Sequence, residues 1–274
     1  MESPLSNKSL PSTLGRAKAA EARPLSQPTI PSTFRDSRTA AGPASRWIRS
    51  AVAVFAREVR SEWRTRSAMG STLLFAVGML SALAFVLAMK VISPDVKAAL
   101  LWVMLLFTAV SGLARVYARE EEIGTADALR LAAPATAVHT GKLLFNTLLL
   151  GAVQLVATVL FLAVIPTGPG FDIGLFVAVS VLGGIGLAAA TTFVAALVAQ
   201  ASESGARGAL FFIAAFPVLL PVLRPAVEGV LAAFAPAAAT AGTAHNSLVL
   251  LATYDVVIIA ASLGLIGAIW HDPG

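Results

Sequence analysis

Long apolar runs separated by short polar breaks dominate this chain. Six runs stand out, at 71–89, 98–114, 143–165, 173–199, 209–223 and 248–269. A helix rises about 1.5 Å per residue, so crossing about 30 Å of hydrocarbon takes about 20 residues. Four runs meet that length comfortably, the second meets it by extending through Val116 and Tyr117 to give a span of 98–117, and 209–223 is short. Each run is apolar on every side, whereas the strands of a membrane barrel alternate over about ten residues. The pattern predicts an all-α integral membrane protein with six transmembrane helices.

The breaks carry their own patterns. Residues 46–66 read RWIRSAVAVFAREVRSEWRTR, with Ile48, Val52, Phe55, Val59 and Trp63 at spacings that return to one helical face. Arg49, Arg57, Arg60, Arg64 and Arg66 fall mainly off that stripe. An amphipathic helix of this kind lies in the membrane interface, apolar side down, and Phe55, Arg57, Glu58, Arg60 and Trp63 carry that assignment. Residues 1–45 are rich in Ser, Pro, Ala and Arg without apolar periodicity. They cannot bury enough surface to offset their ordering entropy, and they read as a disordered cytoplasmic tail. The fifth run differs from the others, because Pro217, Pro221 and Pro225 recur every four residues and each removes a backbone donor. A re-entrant extracytoplasmic segment is expected over 224–247, completing a six-span membrane domain at 67–270.

Composition sharpens this picture. Of 274 residues 57% are hydrophobic and 13% charged, against about 25% charged in soluble domains. Residues 1–66 hold twelve of the twenty Lys and Arg, so the net +5 belongs to the N-terminal part and not to a basic groove for nucleic acid. Basic residues in short loops mark the cytoplasmic side. Arg115, Arg119, Arg130 and Lys142 put the 115–142 loop there, together with both termini. With no cysteine in the chain, disulfides and thiolate metal sites are excluded.

Residues 115–142, RVYAREEEIGTADALRLAAPATAVHTGK, form the strongly charged interior stretch. Gly124 suits the stop of one helix, while Thr125 and Asp127 suit the cap and first turn of the next. Pro134 ends that piece, and Lys142 is expected at the membrane surface where the third span begins. A solvated elbow of this form, over 118–142, fits a groove on a cytosolic ATPase, with Glu120, Glu121, Glu122, Gly124, Thr125, Asp127, Leu129 and Arg130 at the contact. The chain is not itself an ATPase. A phosphate loop needs G-x-x-x-x-G-K-[ST], and around Gly141-Lys142 the outer positions are Thr136 and Leu143.

Polar residues inside spans are costly and often functional. Asp255 in the last span must be protonated, paired or facing a polar cavity, and Gln154 in the third joins Asn146 and Thr147 as a source of interhelical hydrogen bonds. Gly183, Gly184 and Gly186 signal close helix packing. His139, His245 and His271 lie at segment ends without ligand spacing, so no metal or cofactor site belongs to this chain.

Four stretches together resemble a known family: FAREVRSEWRTR (Phe55–Arg66), RVYAREEEIGTADALRLAAPATAVHTGKLLFN (Arg115–Asn146), ESGARGALFFIAAFPVLLPVL (Glu203–Leu223) and LLATYDVVIIA (Leu250–Ala260). They are similar to the heme exporter protein B family, the ABC-2-type permease subunit of the cytochrome c maturation transporter, over about residues 47–270. The resemblance implies a multi-pass protein of the bacterial cytoplasmic (inner) membrane. It implies a separate ABC ATP-binding subunit, a heme-handling membrane subunit and a periplasmic heme chaperone as partners, and a homodimer within the complex. Heme is then the substrate handled, not a cofactor held by this chain. Two other readings suit the residues: an ABC-2 permease exporting a drug, lipid or glycan, and a membrane scaffold that transports nothing.

Overall fold

The computed structural model describes residues 42–87, 92–113, 133–199 and 207–269. Seven α-helices make up nearly all of it: α1 (Pro43–Thr65), α2 (Ser67–Leu87), α3 (Pro94–Leu113), α4 (Ala135–Val164), α5 (Ile173–Ala199), α6 (Arg207–Phe234) and α7 (Thr243–Ile269). A single 3-10 turn, Pro236–Ala238, follows α6, and the described residues contain no strand. Helices α3 to α7 are each long and apolar enough to cross a membrane. The bent pair α1–α2, whose axes differ by 67°, brings the number of candidate spans among the described residues to six if the pair is counted as one.

The bend has a local cause. Arg66 sits between the two helices with φ +49°, a left-handed conformation that stops α1. The Glu62 carboxylate then turns back and accepts the Met69 backbone N–H at 2.8 Å, supplying an anion at the start of α2 where unpaired donors and the helix dipole favour one.

Two boundaries differ from the apolar runs. Helix α4 starts at Ala135, not at 143, and at 30 residues it is about 45 Å long, half again the hydrocarbon thickness. Lys142, expected at the surface, is instead completely buried, as is His139 one turn earlier. These polar residues look solvated in one dimension, but they lie on a helix packed into the bundle. Helix α6 also continues past residue 223 to Phe234 with all three prolines inside it. Prolines spaced by four share one helical face, so the missing donors all fall on one side and the helix continues without stopping. Only Ala235–Gly242 then separate it from α7, and 224–234 is helical, not a re-entrant loop.

Helix α5 is the central element. It packs most extensively on α6 and α7 and also meets α4 and α3. At one end of the bundle Lys97 Nζ donates to the Pro166 carbonyl at 2.8 Å, and Phe171, Phe176 and Phe234 cluster with centroids 5.4 to 5.7 Å apart. At the other end the starts of α1 and α4 meet, Trp47 Nε1 donating to Thr136 Oγ1 at 3.0 Å. The end of α7 joins them there, Gly267 lying next to Thr136.

Candidate functional site

Half-way along α5, three glycines receive side chains from the surrounding helices. The Trp102 ring of α3 lies on Gly183, and the Gln154 carboxamide of α4 lies on Gly184. The Asp255 carboxylate of α7 lies on Gly186 beside Val222 of α6 and Tyr254. A Cβ on Gly186 would come within 2.7 Å of Asp255 Oδ1 and 3.1 Å of Val222 Cγ2, so only the absence of a side chain lets these groups approach. Trp102 is fully buried, and Gln154 and Asp255 are 7% and 6% exposed. One layer near mid-membrane thus holds an indole, an amide and a carboxylate, each contributed by a different helix.

Hydrogen bonds hold part of this layer. Gln154 Nε2 donates to the Ser180 carbonyl of α5 at 2.8 Å, and two turns earlier Asn146 Nδ2 donates to Thr192 Oγ1 at 2.8 Å. Both clasp α4 to α5, as the sequence suggests. Thr147 does not join them, because its hydroxyl bonds the Leu143 carbonyl of its own helix, the usual fate of threonine inside a helix. Asp255 is different. Among the described residues neither of its carboxylate oxygens has a hydrogen-bond partner, although its neighbour Tyr254 reaches across to the Val218 carbonyl at 2.6 Å. That carbonyl is adjacent to the Pro217 carbonyl, which Pro221 leaves without its usual helical donor. Beside the layer, an apolar groove of about 550 Å³ opens between α4 and α5, with Thr147, Gln154, Thr158 and Ser180 as its polar lining and no charged residue.

Of the interfacial residues, Phe55, Glu58 and Arg57 lie on the described α1, with Arg60 and Trp63 exposed further along it. The helix docks on α4 by a face the periodicity did not mark. Ala51 and Val54 press into a notch at Gly141, where a Cβ would meet the Ala51 carbonyl at 2.7 Å. Trp47 and Glu62 fasten the two ends of the helix. The marked stripe is left largely open, Ile48 and Val52 being 56% exposed and Trp63 76%. The glycine in VHTGK was the available signal for this contact, but a lone small residue does not name its neighbour. The coupling residues Glu120, Glu121, Glu122, Gly124, Thr125, Asp127, Leu129 and Arg130 lie outside the described residues, as do residues 1–41 of the N-terminal tail.

The chain matches no curated protein and no solved structure. The family model described as CcmB protein matches residues 49–266. That is most of the 274-residue chain, and with the all-helical, multi-span fold it places this protein in the CcmB family, heme exporter protein B, whose role is that of a membrane permease in cytochrome c biogenesis.

Proposed function

We propose that this chain is the force-receiving membrane half of an ABC transporter, driven by a separate ATP-binding subunit that docks on the cytoplasmic elbow at 118–142. The observation that carries the reading is the anchorage of α4. This helix starts at Ala135, immediately after the charged segment, and is clasped by Asn146 and Gln154 to α5 and by the Gly141 notch to α1. A push on the elbow is therefore delivered to a rod about 45 Å long that is bonded to the central helix. Interlocked side chains respond to such a push by switching between packings, not by deforming smoothly. The layer at Gly183, Gly184 and Gly186 is where α5 can shift against Trp102, Gln154 and Asp255.

Two copies supply the two membrane halves, with N- and C-termini in the cytoplasm of a bacterial cell. ATP hydrolysis then drives delivery of heme to a periplasmic chaperone, or release of the loaded chaperone, alongside a heme-handling membrane subunit. The groove between α4 and α5 has no charged residue to pair heme propionates and no imidazole or thioether to ligate iron, which suits a chain that transmits motion more than one that carries heme. Replacing Gly124–Arg130 with a flexible linker of equal length is expected to abolish co-purification of the ATPase while the membrane domain still folds. Unchanged co-purification and unchanged ATP hydrolysis would remove the elbow from the mechanism.

A further inference from the structure

We propose that α1 is a binding surface for anionic phospholipid, with Arg49, Arg60 and Arg64 as headgroup contacts and Ile48, Val52 and Trp63 immersed among acyl chains. The inference rests on the protein's being membrane-embedded and not on what it transports. Helix α1 has three faces. Trp47, Ala51, Val54 and Glu62 are turned to α4 and α2. Beside that docked face runs the apolar stripe, whose Phe55 and Val59 touch the core while Ile48, Val52 and Trp63 are left exposed. Arg49, Arg60 and Arg64 follow on the far side at spacings of eleven and four residues, about three turns and one turn. All three are exposed, and among the described residues none has an ion-pair or hydrogen-bond partner.

The charge of this third face selects the occupant. Three unneutralised guanidiniums bordering an uncovered Trp–Ile–Val flank complement a phosphodiester on top of hydrocarbon. A free anion would satisfy the arginines and leave the flank exposed, and a neutral lipid surface would do the reverse. Because α1 is fastened to α4 at Thr136 and Gly141 and to α2 at Met69, headgroup binding also holds the starts of two membrane helices in place. Anionic lipid then becomes a condition for a firm α1–α4 joint.

The test uses the full-length protein in phosphatidylcholine nanodiscs with or without phosphatidylglycerol, reading retained lipid by native mass spectrometry and the unfolding temperature. Each basic residue near an anionic surface contributes about fivefold in affinity, so R49Q/R60Q/R64Q should weaken phosphatidylglycerol retention roughly a hundredfold and lose the thermal shift. The R49K/R60K/R64K protein should keep both. At about 1 M salt, where the screening length falls to about 3 Å, the unaltered protein should behave like the glutamine variant. Equal retention by the glutamine variant, or retention indifferent to salt, overturns the proposal. If inorganic phosphate at matched concentration displaces the lipid and reproduces the thermal shift, the arginines form a free-anion site and the membrane assignment fails. Should the glutamine variant not fold, the lysine variant and the salt titration still separate the two outcomes.

Discussion

Substituting Gly141 by alanine tests the α1–α4 joint directly. The added Cβ would sit 2.7 Å from the Ala51 carbonyl oxygen, against the 3.4 Å at which ordinary contact begins, a shortfall of about 0.7 Å. A second clash, at 2.8 Å, is with Val54 Cβ. Neither atom lies at the end of a flexible side chain, so no rotamer change relieves them and α1 itself must move. Overpacking of this kind costs about 1–3 kcal/mol, and loss of the Trp47–Thr136 bond adds about 0.5–1.5 kcal/mol. Docking should weaken by about 2–4 kcal/mol, roughly thirty- to several-hundred-fold. Gly151, ten residues along the same helix, is the control. No atom lies within 4 Å of its added Cβ, and alanine is better than glycine inside a helix by about 0.5–1 kcal/mol, so Gly151→Ala should stabilise. Since the chain has no cysteine, a single A51C reports the joint cleanly. Ala51 is 4% exposed, so its cysteine should resist maleimide until α1 lifts. Unchanged labelling of A51C in the Gly141→Ala background, or the same response to Gly151→Ala, would refute the notch.

Other substitutions address the remaining joints. Asp255→Asn keeps shape but removes an ionisable carboxyl that no described residue hydrogen-bonds, so the complex should assemble with undiminished thermal stability while holo-cytochrome c formation falls. Full cytochrome c assembly would make Asp255 purely structural. Asn146→Leu and Thr192→Val, measured singly and together, should show a coupling of about 0.6 kcal/mol and no more than about 1.7, the range of hydrogen bonds between membrane helices; additivity would mean the clasp does not form. Arg66→Gly relieves the left-handed φ of +49° and should raise the unfolding free energy by about 1 kcal/mol, a prediction that a lowered melting temperature would contradict.

The positions of the spans were readable because lipid imposes a one-dimensional requirement, namely enough consecutive apolar residues with every backbone group bonded inside its own helix. Where α4 begins was not readable that way. Thr136, His139, Thr140 and Lys142 look like a solvated loop in the sequence, but in the folded chain they belong to α4, where α1 lies over Gly141 and His139 and Lys142 are buried. The prolines of α6 each remove a backbone donor, which opposes a helix taken singly, but their common face lets the helix continue to Phe234.

The same division runs through the functional residues. Sequence alone established a cysteine-free, multi-span helical protein with a basic amphipathic entry helix, a charged interior stretch at 115–142 and a family resemblance that the match over residues 49–266 bears out. Periodicity and hydropathy are properties of consecutive residues, so they needed no partner to be seen. Tertiary structure decided that Gly183, Gly184 and Gly186 receive three different side chains, that Asn146 finds Thr192, and that α1 leaves Ile48, Val52 and Trp63 of its apolar stripe exposed. Those outcomes depend on which helices lie side by side and at what rotation, and a contact between residues far apart in the chain leaves no periodic trace in either segment.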